Sequence, residues 1–186
     1  GLTEVELPRG LTSIGDGAFS DCSALSTITL PEGLTSIGSY AFNYSPVRIW
    51  NTVLPDSLEG IGANAFYYYS LSENPSNGYT VKEQTITLSL PRNLKTIGDG
   101  AFRGALRSGY INDYETRTST HISFVSVTVP EGVESIGYLA FANNDLPALY
   151  VLSRDSEIAL TPTNSWESPS TTAFTLGTPG ETTVYS

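Results

Sequence analysis

The sequence predicts an α/β-type solenoid with one short parallel β-strand per rung, short helical or irregular turns on the opposite side, and about six rungs. Three observations predict it. Pro followed by Ile-Gly six residues on and Ala-Phe ten residues on occurs five times, as LPRGLTSIGDGAF (7–19), LPEGLTSIGSYAF (30–42), LPDSLEGIGANAF (54–66), LPRNLKTIGDGAF (90–102) and VPEGVESIGYLAF (129–141). The period is about 23 residues where no insertion intervenes, a spacing that marks stacked units touching only their neighbours. Ahead of each proline, apolar and small polar residues mostly alternate, the period of a half-buried strand.

Taken in order, strands are expected at LTEVEL (2–7), LSTITL (25–30), IWNTVL (49–54), TITLSL (85–90) and FVSVTV (124–129). A sixth, without its proline, is expected at LPALYV (146–151), where Leu146, Leu149 and Val151 reproduce the apolar slots. Each proline stops its strand and fixes φ at the corner. After it, Leu11, Ile14, Ala18 and Phe19, and their counterparts in the other copies, fall at intervals of three, four and one. That spacing predicts a short helical turn with one face inward. Gly15, Gly38, Gly62, Gly98 and Gly137 are expected where the backbone needs positive φ or a close approach to the next rung. One rung buries too little apolar surface to offset the ordering of its own backbone. Shared burial between rungs must supply the rest, so the ends of the stack need covers.

These residues resemble a known family. The pattern LxxIxLPxxLxxIGxxAF is similar to the BspA-like, treponemal-type class of leucine-rich repeats, and SDCSALSTITL (20–30) carries that family's Cys-x-x-Leu step into the next strand. The resemblance covers residues 2–152 apart from two insertions. It implies a right-handed leucine-rich repeat solenoid from a secreted or surface-attached microbial protein, used for adhesion and protein binding, and it brings no catalytic residue with it. The expected organisation is a solenoid over 1–152 with insertions at 67–84 and 103–123, then a segment 153–186. That last segment reads as a C-terminal cap, with a hairpin around GTPG and Trp166 as a possible anchor, or as a Ser/Thr/Pro-rich tail.

Composition narrows the partners. The chain has 186 residues, is 39% hydrophobic and carries a net charge of -10, enough for one elongated core. An acidic chain is a poor nucleic-acid binder, because phosphate contacts need clustered Lys and Arg. Adsorption to anionic membranes is disfavoured for the same reason, and no stretch of 18 apolar residues implies membrane insertion. The lack of methionine and a start in mid-pattern read as a processed segment whose export signal or anchor lies outside it.

Cys22 is the one cysteine, so no internal disulfide is expected; it reads as a small residue filling a corner slot. His121 reads as a surface residue of a loop. Without clustered His and Cys no transition-metal site is expected, and no cofactor is implied. Asp145 with Asn143 and Asn144, or Asp155 with Glu157, offers calcium ligands without a supporting loop pattern.

Function is expected where the period breaks. Phe66 is followed by YYYSLSENPSNGYTVKEQ and Phe102 by RGALRSGYINDYETRTSTHIS before the next strand begins. Both insertions enter at the same point of consecutive rungs, so stacking should set them side by side. They hold six of the chain's eleven tyrosines, Tyr67, Tyr68, Tyr69, Tyr79, Tyr110 and Tyr114, among Ser, Asn, Gly and Thr, a mixture suited to binding surfaces. Lys82, Arg92, Lys95, Arg103, Arg107 and Arg117 add a local positive zone. The candidate ligand-binding residues are therefore the six tyrosines with Arg107 and Arg117. If instead the insertions form hairpins, with a turn at 74–78, Tyr67 and Tyr69 pack on the sheet margin. The outward strand positions, Glu4 and Glu6, Thr27 and Thr29, Asn51 and Val53, Thr87 and Ser89, Ser126 and Thr128, form a small polar row poor in anchors.

The favoured reading is a non-enzymatic, extracellular or cell-surface module that binds a protein, such as a host surface or matrix protein. The alternative is a glycan-binding module in which Tyr67 to Tyr69, Trp50 or Trp166 stack on sugar rings. An enzyme is the least supported, since the chain holds no pairing of nucleophile and base.

Overall fold

The computed structural model describes residues 1–68, 74–144, 149–151, 159–160 and 183–185. Their strands in chain order are β1 (Ser13–Ile14), β2 (Ser36–Ile37), β3 (Gly60–Ile61), β4 (Thr80–Ser89), β5 (Thr96–Ile97), β6 (Gly109–Asp113), β7 (Thr118–Val129), β8 (Ser135–Ile136), β9 (Leu149–Val151), β10 (Ala159–Leu160) and β11 (Thr183–Tyr185). One sheet runs β1-β2-β3-β5-β8-β10 and the other β11-β9-β7-β4, with β6 also paired to β7. Pairing in the first sheet is parallel and in register, so Ile14, Ile37, Ile61, Ile97 and Ile136 form a single row.

That first sheet corrects one expectation. The segment after each proline is a two-residue strand followed by turns, and no α-helix occurs among the described residues. The physical reason is spacing. Packed helices stand about 8–10 Å apart, whereas paired strands stand about 4.8 Å apart, and the rungs are locked at strand distance on this side. Gly38 N–H donates to the Ile14 carbonyl at 2.8 Å, Gly62 to Ile37 at 2.8 Å, Gly98 to Ile61 at 2.8 Å and Gly137 to Ile97 at 2.7 Å. Close approach, not positive φ, accounts for these glycines, and it is to the preceding rung. A Cβ at Gly62 would lie 2.4 Å from the Ser39 nitrogen, and one at Gly137 2.4 Å from the Asp99 nitrogen. Gly15, in the first rung, would meet nothing within 4 Å.

The turns beyond each glycine reverse the chain through left-handed residues. Two positions after the glycine stand Gly17, Tyr40, Asn64, Gly100 and Leu139, with φ of 62, 59, 52, 60 and 55°. Six positions after it, Asp21, Tyr44, Gly104 and Asn143 have φ of 56, 53, 67 and 57°. Between them the Ala-Phe pair points inward. Phe42 N–H donates to the Ala65 carbonyl of the next rung at 2.8 Å, and Phe66 to that of Ala101 at 2.8 Å. The rings of Phe19, Phe42, Phe66, Phe102 and Phe141 form a stacked column with centroids 5.4, 5.3, 5.6 and 5.3 Å apart. The alanines of the later four rungs and the Leu34, Leu58, Leu94 and Val133 series complete a core running the length of the stack.

The expected strands ahead of the prolines divide. Residues 85–89 lie in β4, 124–129 in β7 and 149–151 in β9. The stretches 2–7 and 25–30 are not paired strands, although Leu25, Ile28 and Leu30 are buried while Thr27 and Thr29 are exposed. Residues 49–54 open with a 3₁₀ turn, Ile49–Asn51. The return from Phe42 to Pro55 is one residue longer than that from Phe19 to Pro31, and the turn takes up the excess. The outward row also changes in β7, where Ser126 is buried beyond a register shift that opposes Ile86 to Phe124 and Thr87 to Ser126.

The sixth rung extends both sheets. β9 pairs with β7 in parallel, and β10 pairs with β8 in parallel with Leu160 in register with Ile136. β11 runs antiparallel to β9. Trp166 and the GTPG segment lie outside the described residues.

Candidate functional site

The two insertions do meet. β4 and β7 pair in parallel from Thr80↔Thr118 to Ser89↔Thr128. The other edge of β7 takes β6, antiparallel over Gly109↔Ile122 to Asp113↔Thr118. Ser76 N–H reaches Asn112 Oδ1 at 3.2 Å and Ser119 Oγ at 3.3 Å, joining the two insertions again. The turn at 76–79 closes with Tyr79 N–H on the Ser76 carbonyl at 3.1 Å and Gly78 at φ 77°.

The hairpin of β6 and β7 is closed by Asp113, whose Oδ1 accepts the N–H of Glu115 at 2.9 Å and of Thr116 at 3.0 Å. Hydrogen bonding to Thr116 holds this carboxyl below its ordinary pKa. A depressed value means that the contribution is present above the unfolded pKa and is lost as pH falls through the folded one. Amide protection at Thr116 should therefore hold at neutral pH and fall only in acid below about pH 4. Asp113→Asn should remove that pH dependence in hydrogen-exchange measurements.

The predicted site residues fall into two groups. On the outer three-stranded flap, Tyr79 stands edge-on to Tyr114 at 6.0 Å between centroids, and Tyr114 is 75% exposed. Tyr110 tilts over His121 at 4.7 Å, and Arg117 is exposed in the turn at φ 54°. His121 lies within β7, not in a loop, with Nδ1 2.7 Å from Glu83 Oε2. The second group, Tyr67, Tyr68 and Arg107, lies nearer the solenoid wall. Tyr69 falls outside the described residues.

Stacking brings unpredicted residues to this second group. Tyr44, in the same column as Tyr68, turns edge-on to the Tyr67 ring at 5.2 Å, while Arg103 lies over that ring at 5.8 Å. Beside this ridge is a cleft lined by Pro46, Val47, Arg48, Trp50, Tyr68 and Arg107, with an interior volume of about 60 Å³. Trp50 forms its inner wall, held edge-on against Phe124 at 5.4 Å. Arg48 starts the 3₁₀ turn, its N–H on the Ser26 carbonyl at 3.1 Å and its own carbonyl accepting from Asn51 at 2.9 Å. Burial lowers the pKa of its guanidinium, with Tyr68 acting in the opposite sense. The available signal was the lengthened return at 43–54 together with two tyrosines in slots where other rungs use Gly, Asn or Asp.

Part of the expected basic zone is engaged within the chain. Arg92 pairs with Asp56, lowering that carboxyl's pKa, and Lys95 pairs with Glu59 at 2.8 Å, which raises the ammonium's. Arg103 is engaged with Tyr67. Asn144 is structural, its amide donating to the Phe102 and Phe141 carbonyls at 2.9 Å each and its oxygen accepting from Leu106 N–H at 2.8 Å. Asp145, Asp155 and Glu157 lie outside the described residues. Cys22 is half-buried against the core, its N–H on Ser45 Oγ at 2.9 Å.

No curated protein matches the chain. The family model for the BspA type leucine-rich repeat region matches residues 1–112, in six copies.

Proposed function

The chain belongs to the BspA-type leucine-rich repeat family, and from that premise we propose that it is a non-enzymatic protein-binding or adhesion module of a secreted or cell-surface protein. In this reading a right-handed solenoid over 1–152 is the scaffold, and the tyrosine-bearing insertions are its binding edge. Family membership supports a surface role in protein recognition. Among the described residues no helix is long and apolar enough to cross a membrane.

The observation that carries the reading is the ridge and cleft formed by Tyr44, Tyr67, Tyr68, Trp50, Arg103 and Arg48. Aromatic residues and arginine are the side chains that dominate protein interfaces. Tyr40 and Tyr44, 50% and 49% exposed, occupy left-handed positions that cost a bulky residue about 1 kcal/mol or more. The Tyr44 ring recovers part of that cost against Tyr67 at 5.2 Å, yet half of each tyrosine still faces solvent. The rings of Tyr44 and Tyr67 meet at 83° and those of Tyr79 and Tyr114 at 76°, so these pairs offer edges rather than a flat platform for a sugar.

The test combines stability with binding. Tyr40→Asn should raise the unfolding free energy by about 0.5–1 kcal/mol, since Asn tolerates the left-handed region. The double variant Tyr40→Asn/Tyr44→Asn should lose affinity, by tenfold or more, for a protein ligand found by screening purified extracellular matrix proteins and glycans. Ligands confined to glycans, or a protein ligand held equally by both forms, would overturn the reading.

A further inference from the structure

The cleft beside the aromatic ridge has a specific chemistry. Arg48 is half-buried between Pro46, Val47, Trp50 and Tyr68. Ion pairs join Asp56 to Arg92, Glu59 to Lys95 and Glu83 to His121, and none of these three involves Arg48. Among the described residues no carboxylate lies within ion-pair distance of the Arg48 guanidinium. In a chain with 19 acidic and 9 basic residues, Arg48 is half-buried in an apolar cleft with no carboxylate against it among the described residues. Removing a charge from water without a counter-ion is costly, and the cost is recovered when a hydrogen-bonding anion arrives.

Resting on the protein-binding reading above, we propose that this cleft seats one Asp or Glu side chain of the partner protein, its carboxylate held by Arg48 with Arg107 at the mouth. The size agrees, because about 60 Å³ suits a carboxylate or a few waters. Rigidity agrees as well, since the backbone bonds at Ser26 and Asn51 fix the base of the Arg48 side chain and Trp50 is held by Phe124. A guanidinium fork matches a carboxylate in geometry. The half-buried rings of Trp50 and Tyr68 make the surroundings less polar than water, which strengthens the pair. The chain's net charge of -10 opposes a polyanion. The favoured partner segment therefore carries one isolated acidic residue among small neutral ones.

The probe is a capped peptide, Gly-Ser-Glu-Ser-Gly, with Gly-Ser-Gln-Ser-Gly as its neutral counterpart, titrated into the whole chain while the Trp50 indole N–H is followed by NMR. The glutamate peptide should give a saturable shift with a Kd of about a millimolar, and the glutamine peptide should bind at least tenfold more weakly. Arg48→Gln should weaken the glutamate peptide at least tenfold, Arg107→Gln severalfold, and Arg92→Gln, at a remote ion pair, not at all. Binding should also fade as pH drops through about 4.3, where the glutamate is protonated. Equal binding of both peptides, or full binding by Arg48→Gln with unchanged melting temperature, overturns the proposal. If Arg48→Gln unfolds the chain, Arg107→Gln decides, and its unaltered binding counts against the proposal. Failure here with the tyrosine variants still losing the protein ligand removes only the carboxylate, and the protein-binding reading stands.

Discussion

Phe102→Ala is expected to lower the unfolding free energy by about 3–5 kcal/mol. Phe102 is fully buried, with the Phe66 ring 5.6 Å away on one side and the Phe141 ring 5.3 Å away on the other. The planes differ by only 4° and 14°, so removing the ring opens a gap faced by two aromatic rings at once. Both neighbouring rungs are tied to this one by backbone bonds, Phe66 N–H to the Ala101 carbonyl and Phe102 N–H to the Ala140 carbonyl at 2.8 Å each, which limits how far either ring can move into the gap. A domain stable by about 5–15 kcal/mol would lose at least about a fifth of that margin. Phe19→Ala, at the half-buried end of the column, should cost distinctly less. Denaturant unfolding of the two variants measures the contrast. Equal losses would mean that the phenylalanine column is not the continuous core.

Gly98→Ala is the second large effect, about 3 kcal/mol or more. The new methyl would lie 2.5 Å from the Ala63 nitrogen, 2.6 Å from the Gly62 carbonyl carbon and 3.0 Å from the Ala63 Cα. All three are backbone atoms, so no side chain can swing away. Relief requires separating β5 from β3, which stretches the 2.8 Å bond from Gly98 to the Ile61 carbonyl. Gly15→Ala makes the same chemical change at the same slot, with nothing within 4 Å and no positive φ. It should be neutral or stabilising by up to about 1 kcal/mol. Similar melting temperatures for the two variants would contradict the close stacking of rungs.

Both predictions use slots that were readable without coordinates. The recurrence of Ile, Gly, Ala and Phe at fixed offsets already requires columns, because identical units stacked on an axis place identical slots in line. The juxtaposition of the insertions was readable on the same ground, since both enter at one slot of adjacent rungs. Which side of each rung forms the regular ladder was not readable. The intervals between Leu11, Ile14 and Phe19 suit a helical turn as well as a short strand with bends, and the choice depends on how close the neighbouring rung stands. The strand ahead of the proline likewise forms only where its neighbour is also extended. β4 and β7 supply that pairing to each other, while the 3₁₀ turn at Ile49–Asn51 withholds an extended neighbour from residues 25–30.

The binding surface shows the same division. Tyr67, Tyr68 and Arg107 were visible as members of an insertion. Arg48, Tyr44 and Trp50 sit in a return only one residue longer than the one before it, and of the three only Trp50 stood out, as a ring for stacking on a sugar. They join the site because rung spacing carries residues of three successive returns onto one patch of surface. The sequence alone determined the repeat, its inward slots and the place where irregular segments must emerge, since these follow from local pattern. Only the tertiary structure decided where strands close into ladders and which arginine is half-buried in a cleft with no carboxylate against it among the described residues, because hydrogen-bond pairing and desolvation depend on neighbours far along the chain.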